Sequence, residues 1–284
     1  HPEGPLGRIF ESLRAQRPLE NIGVVGLGVG TMAAYGKAGE TMTFFERDPA
    51  MATIAKDPAC FSYLADSRAK TRIVLGDARH SLTEESRPFD LLVVDLCCSA
   101  SPPLHLLTRE AFSLYQSRLA KHGLLVFHIS NRYLNLTPVL GRLADDAGMA
   151  ALASSDEDDE ETYRRMPASW VVMARHIEDL RAFASHLPWN VLATDGGRVW
   201  TDDSSDPVEA LDWKLHRDAF VLATWWRPNQ EKIAFHRSAG DVLLAKDKLD
   251  EALSHYQKVE EWSPDDSETQ NSIGLILLRQ NKLD

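Results

Sequence analysis

Cysteine is scarce in this chain. Its 284 residues include three, Cys60, Cys97 and Cys98. They form no C-x-x-C pair and no Cys/His cluster with zinc spacing, so neither a disulfide framework nor a metal site is expected. A reducing compartment suits such usage, and we expect a cytoplasmic location. Positive charge is also short: 31 Lys and Arg stand against 42 Asp and Glu, for a formal net charge of −11. A phosphate polyanion would be repelled, so nucleic acid is not an expected partner. A cationic small molecule is compatible with that balance, as is plain solubility. No apolar run is long enough to cross a bilayer. An initiator Met is missing as well. The sequence starts at His1-Pro2, and we expect an excised fragment whose ends do not report targeting.

Against these absences stands a glycine-rich segment. Asn21-Ile22-Gly23-Val24-Val25-Gly26-Leu27-Gly28-Val29-Gly30 reads as a buried strand running into a tight turn. Glycine allows positive φ and lets backbone approach a ligand closely. A second apolar run, Met42-Thr43-Phe44-Phe45, ends at the acid Glu46. A strand, a Gly-rich turn, a helix and an acid closing the next strand make a nucleoside-binding half-site. The carboxylate can there accept both ribose hydroxyls.

Short apolar runs alternate with helical patterns through the first half. Strands are expected at Ile22–Val25, Met42–Phe45, Arg72–Leu75, Leu91–Val94 and Leu124–Ile129. Helices are expected at Thr31–Lys37, Pro49–Lys56, Ala78–Leu82, Thr108–Leu119 and Thr137–Asp146. The strands are apolar on both faces, as in a parallel sheet covered by helices. The pattern predicts an α/β fold with a doubly wound, Rossmann-like sheet. Farther on, the acidic run Asp156–Glu161 reads as a solvated loop, with cation binding as the sharper alternative. Val171–Ala174 reads as a strand at an antiparallel edge, and Ile177–His186 as a helix. Val208–Trp226 reads as a helix whose Trp213, Trp225 and Trp226 serve packing.

The last stretch changes character. Lys248-Leu249-Asp250 recurs as Lys282-Leu283-Asp284, and Gly240 recurs as Gly274. Both recur at the tetratricopeptide period of about 34 residues. Ala252, Tyr256, Val259 and Pro264 match the internal spacing of that repeat. We therefore expect a catalytic domain over 1–228 and truncated, α-helical tetratricopeptide-repeat helices over 229–284. Such helices bind other protein segments or pack on their own catalytic domain.

Four elements fall at strand ends: the Gly26–Gly30 turn, Glu46, Gly76-Asp77-Ala78 and Asp95. Parallel strands bring all four to one edge of the sheet. The glycine turn suits an amino-acid or phosphate tail and Glu46 a ribose. Asp77 suits an exocyclic amine, because a carboxylate accepts from an NH2 donor. Asp95 is left at the centre of the crevice, next to where the reacting group would emerge; the plainer alternative is a strand-end acid capping a helix. A nicotinamide dinucleotide fits poorly, because the third glycine position of its motif holds Met32 or Ala33. The turn plus the Gly-Asp-Ala element favours S-adenosylmethionine or a relative.

These residues resemble a known family. Gly26–Gly30, Glu46-Arg47-Asp48-Pro49, Gly76-Asp77-Ala78 and Phe89-Asp90-Leu91-Leu92-Val93-Val94-Asp95 look like the spermidine synthases, polyamine aminopropyltransferases with a methyltransferase-type sheet. His1-Pro2-Glu3-Gly4-Pro5-Leu6-Gly7, His105-Leu106-Leu107-Thr108, Phe127-His128-Ile129-Ser130-Asn131-Arg132-Tyr133 and Trp200-Thr201-Asp202-Asp203 resemble the bacterial branch fused to membrane spans and tetratricopeptide repeats. The resemblance implies transfer of an aminopropyl group from decarboxylated S-adenosylmethionine to an amine. Gly26, Leu27, Gly28, Gly30, Glu46, Arg47, Asp77 and Ala78 would hold the co-substrate, and Asp95 would deprotonate the attacking amine. His105, Asp202 and Asp203 are candidates for the acceptor side. The resemblance also implies a missing small β domain and a membrane-anchored parent. A homo-oligomer is expected for the full-length protein.

The chain departs from that pattern in two places. Where the relatives place a second acid after Asp95, this loop has Cys98 or Ala100, depending on register. The loss removes a charge-assisted hydrogen bond worth ~1.5–3 kcal/mol. Val29 replaces the acid suited to the donor's free amine. A methyltransferase using S-adenosylmethionine and a non-catalytic ligand-binding or scaffold domain therefore stand as alternatives. Other residues carry paired readings. Cys97 and Cys98 are reactive thiols or small buried residues. His105 contacts the acceptor or starts a helix, and His128 is a hydrogen-bonded core residue or a functional one. Asp202 and Asp203 replace the lost acid or form a turn or N-cap.

Overall fold

The computed structural model describes residues 4–96, 103–130, 134–155, 168–181, 189–192, 197–210, 230–264 and 266–280. It divides into two compact units, His1–Asp212 and Trp213–Asp284. The expectations on Cys97, Cys98, Ala100, Asn131–Tyr133, Asp156–Glu161, Trp213, Trp225, Trp226 and Lys282–Asp284 lie outside the described residues.

The first unit is built on one sheet: β1 (Asn21–Val25), β2 (Thr41–Glu46), β3 (Lys70–Leu75), β4 (Phe89–Asp95), β5 (Leu119–His128), β6 (Ala150–Ser155), β7 (Ser169–Ala174) and β8 (Asn190–Val191). The spatial order is β3-β2-β1-β4-β5-β7-β6-β8. Neighbours from β3 to β5 are parallel, and β7 runs antiparallel to both β5 and β6. The order reverses between β1 and β4, which is where open α/β sheets place their ligands. The architecture is mixed α/β and Rossmann-like.

The continuous apolar runs exist because both faces are covered. Val24, Phe44, Leu91, Val93, Leu124 and Val126 point into one core, with Leu6, Ile9, Phe10 and Leu13 of α1 (Pro5–Gln16) and Ala52 and Ala55 of α2 (Pro49–Lys56). The alternate residues Val25, Phe45, Leu92, Val94, Leu125 and Phe127 point into the other. There they meet α3 (Ala78–Glu84), α4 (Arg109–Arg118) and α5 (Thr137–Asp146). Alternation at period two, with helices on each side, makes the sheet doubly wound.

Several expectations are corrected. The segment predicted as a helix over 31–37 is a 3-10 turn, Thr31–Tyr35, stopped at Gly36. A Cβ on Gly36 would stand 2.6 Å from the Ala69 Cβ, so the chain turns away there. The helix predicted from Ile177 begins as the 3-10 turn Ile177–Leu180. Val171–Ala174 is antiparallel but interior, because β6 and β8 lie beyond it. Strand β6 reads Ala150-Ala151-Leu152-Ala153-Ser154-Ser155 and has no β-branched or aromatic residue. Its own strand signal is therefore weak, and the ladder offered by Trp170-Val171-Val172-Met173 forms it. Helix α1 was not predicted, although Leu6, Ile9, Phe10 and Leu13 recur at helical spacing. Arg14 on α1 clamps Glu40 with two bonds of 2.7 Å and donates to the Tyr35 carbonyl at 2.6 Å.

The second unit contains helices Gln230–Ala245, Leu249–Trp262 and Ser267–Arg279. Ala252, Tyr256 and Ile276 form its small core, and Val259 is also buried. A Cβ on Gly240 would meet the Tyr256 ring at 2.8 Å, so this glycine admits the aromatic ring of the next helix. Gly274 meets nothing within 4 Å. Among the described residues no helix is long and apolar enough to cross a membrane.

Candidate functional site

The strand register places a single row of residues across the carboxyl edge of the sheet. Leu75 pairs with Glu46, and the Gly26 N–H donates to the Phe45 carbonyl at 2.9 Å. Val25 pairs with Val94, so Gly26 falls level with Asp95. Asp95 pairs with His128, and His128 pairs with Trp170. The four predicted strand-end elements are thus brought to one edge.

The glycine turn has three positive φ angles: Gly26 at 94°, Gly28 at 52° and Gly30 at 84°. Each has a different neighbourhood. A Cβ on Gly26 would lie 3.3 Å from the Asp95 carbonyl oxygen, so this glycine seats β1 against β4. A Cβ on Gly30 would lie 3.1 Å from Leu64. Among the described residues, a Cβ on Gly28 would meet nothing within 4 Å. Among the described residues, the backbone at the exposed Gly28 is a surface that a ligand can approach.

Glu46 helps to shape the turn. Its Oε2 accepts the Leu27 N–H at 2.9 Å and its Oε1 accepts the Asp48 N–H at 2.8 Å. A carboxylate has about four lone-pair sites. The two bonds are compatible with further acceptance from hydroxyls. Arg47, next in the chain, is exposed. Gly76, at φ 135°, hands β3 to α3. Asp77 caps α3 by accepting the His80 N–H at 3.1 Å, and its other oxygen lies 3.2 Å from His105 Nε2. Burial works to raise the Asp77 carboxyl. The His80 N–H, the His105 charge and the Arg79 N–H outweigh it and hold the group below its ordinary range. Ala78 is the buried first residue of α3.

The acceptor-side candidates separate. Asp202 is held by Arg79 through two bonds of 2.7 and 2.8 Å and accepts the Thr108 hydroxyl at 2.8 Å. Its backbone N–H donates to Glu110 at 2.9 Å. Arg79 also donates to the His105 carbonyl at 3.1 Å. The hydrogen bond from Arg79 holds the Asp202 carboxyl below its ordinary range, with burial opposing and Thr108 assisting. Asp202 therefore staples the Thr201–Ser204 turn to α3 and to the start of α4. Asp203 is exposed in that turn. His105 lies in the 3-10 turn Leu104–Leu106, facing Asp77.

Asp95 is held differently. Its Oδ1 lies 2.9 Å from His128 Nδ1, and His128 Nε2 lies 3.0 Å from Ser130 Oγ. The Ser169 N–H donates to that oxygen at 2.9 Å. The imidazole also stacks on Trp170, with centroids 4.1 Å apart and planes 2° from parallel. The reading of His128 as hydrogen-bonded agrees with this, but its partner was not foreseen. The sequence carried a signal: Asp95 and His128 each close a run of four apolar residues, Leu91–Val94 and Leu124–Phe127. Adjacent parallel strands of matching pattern put such ends side by side. A separate cavity of about 270 Å³ opens near Pro18, Asn21, Arg87 and Asp90, at the amino ends of β1 and β4. The Asp90 carboxylate there accepts the Glu20 and Asn21 N–H groups, a structural role.

No protein-family model matches the chain, and no curated protein matches it. Solved structures resemble it at low identity. A probable spermidine synthase from Corynebacterium glutamicum is 19% identical, with a TM-score of 0.49, over 70% of this chain and 78% of the other. An rRNA methylase from Streptococcus thermophilus is 17% identical, with a TM-score of 0.44, over 61% and 96% of the two chains. An O-methyltransferase from Bacillus cereus in complex with SAH is 14% identical, with a TM-score of 0.42, over 60% and 81%.

Proposed function

We propose that the carboxyl edge of the sheet binds a sulfonium nucleoside of the S-adenosylmethionine type and that the protein is a group transferase acting on an amine. The observation that carries this reading is the row Glu46, Gly26, Asp95 across adjacent parallel strands, with Asp95 against an open glycine turn. In this reading the Gly26–Gly30 backbone cradles the co-substrate tail, Glu46 accepts from the ribose, and Asp77 and Ala78 border the base. Bound there, the co-substrate supplies a carbon activated by positive sulfur, and its bond to sulfur breaks as the bond to nitrogen forms. Asp95 orients the acceptor and takes its proton, because a protonated amine has no lone pair with which to attack.

Decarboxylated S-adenosylmethionine and aminopropyl transfer make the first form of the proposal. Methyl transfer from S-adenosylmethionine makes the second, since Val29, where an acid would meet the donor's free amine, leaves the choice of donor open. Calorimetry with the two nucleosides separates them, since preference for the carboxylated form means methyl transfer. A mass-spectrometric assay offers each nucleoside with a panel of di- and polyamines to wild type and Asp95→Asn. Modified amine is expected with wild type alone. If neither nucleoside binds, or both proteins perform equally, the proposal fails. The repeat spacing and the Gly240–Tyr256 fit support a further part of it: the second unit is a tetratricopeptide-type helix array that takes a protein segment.

A further inference from the structure

Behind Asp95 runs a chain of hydrogen bonds whose direction can be worked out. The Ser169 backbone N–H can only donate, so Ser130 Oγ accepts from it. Ser130 then has its own hydroxyl proton and a second lone pair to offer to His128 Nε2. If the imidazole is neutral, the hydroxyl donates to Nε2 and the ring proton sits on Nδ1. If the imidazole is charged, both ring nitrogens donate. In either state Nδ1–H points at Asp95 Oδ1, 2.9 Å away. The remaining tautomer would aim an imidazole lone pair at a carboxylate and is disfavoured. The ring is further fixed by its parallel stack on Trp170, which is itself buried.

We infer that His128 is a positioning residue for Asp95, with Ser130 and Trp170 fixing the imidazole so that its Nδ1–H sets the plane of the carboxylate. This rests on the reading of Asp95 as the proton acceptor. It adds to that reading a source of orientation that lies on a different strand. Asp95 is the last residue of β4, and the strand ladder fixes its backbone. Misplacing a reacting group by about 1 Å can cost on the order of a hundredfold in rate. The His128 bond adds a constraint on the side chain itself. The juxtaposition of Asp, His and Ser also matches the order of a nucleophilic triad. However, Ser130 Oγ already accepts the Ser169 N–H, and that bond draws electron density from the oxygen. Positioning is the role these contacts favour.

Two measurements test it. Nitrogen NMR of histidine-labelled wild type, recorded without co-substrate above the imidazole titration, reads the tautomer directly. A protonated Nδ1 and bare Nε2 are expected at His128, and a protonated Nε2 with bare Nδ1 overturns the inference even if the protein proves to be a transferase. The second measurement compares turnover and co-substrate affinity in His128→Ala, His128→Asn and His128→Gln. Asparagine can donate from the Nδ1 position and glutamine from the Nε2 position. A drop in kcat on the order of a hundredfold is expected for the alanine variant, with co-substrate Kd within about twofold. Asparagine should restore most of the loss and glutamine little. Equal restoration by both, or a change in Kd matching the change in kcat, overturns the inference. So does labelling of wild-type Ser130 by a fluorophosphonate, which would make the serine a nucleophile. Absence of any turnover in wild type sinks the proposed function and leaves the NMR result to decide the orientation.

Discussion

The two halves of the sheet edge hold their acids in different ways. On the β2–β3 side, Glu46 and Asp77 each accept a backbone N–H close in sequence, from Asp48 and His80, and each adds a more distant partner, the Leu27 N–H and His105. On the β4–β5 side, Asp95 is held by a side chain 33 residues away. The first arrangement rests on a turn or a helix start, to which one more distant contact is added. The second exists only after two strands have paired. An acid anchored by backbone N–H groups is suited to binding a ligand group, whereas Asp95, fixed by a bond from the neighbouring strand, is suited to chemistry that depends on direction. Both kinds are brought together where Gly26 abuts Asp95.

Four substitutions sharpen or break this contrast. Asp95→Asn has the largest expected effect, a loss of turnover of about 10²–10⁴-fold, the range for a general base. Calorimetry should show the nucleoside affinity nearly unchanged, and an equal loss of affinity would erase the distinction between the halves. Gly26→Ala comes next. It forces a side chain to φ 94° and against the Asp95 carbonyl, at a stability cost of about 1–3 kcal/mol in chemical denaturation. It should also lower kcat, because the intruding methyl displaces the base. Asp77→Ala removes the cap of α3 and the partner of His105, for a loss of ~0.5–2 kcal/mol. Its kcat should change far less than that of Asp95→Asn.

The smallest effect concerns acid pH. The folded Asp202 carboxyl is depressed by Arg79, so protonation favours the unfolded chain. The stabilisation is present above the ordinary carboxylate value of about 3.9 and is lost as pH falls below that, through the depressed value. Melting curves of wild type and Asp202→Asn should differ by a constant amount at neutral pH and converge below about pH 4. Asp202 is 40% exposed, so the difference is small. Convergence near neutrality would mean that another group carries the linkage.

The local half of the site was legible in the sequence. Glycines at a strand end, an acid closing the next strand and a Gly-Asp-Ala step each declare themselves within a few residues. So did the parallel order, because Leu91–Val94 and Leu124–Phe127 are apolar on both faces. The long-range half was not. Arg79 and Asp202 meet across 123 positions, and neither residue type reveals its partner. Asp202, an acceptor-site candidate, is bonded in the structure to Arg79 and Thr108. Strand β6 was missed because alanine and serine carry little strand preference, and the ladder supplied by β7 decides their conformation.

The unequal surroundings of the three turn glycines have a practical consequence for redesign. Gly26 and Gly30 are crowded, so side chains there would disturb strand packing before reaching any ligand. Gly28 is uncrowded, and its φ of 52° is one that asparagine and aspartate tolerate better than other side chains. A library confined to position 28 could introduce a polar or anionic handle for a different nucleoside tail while leaving the base and its imidazole support intact.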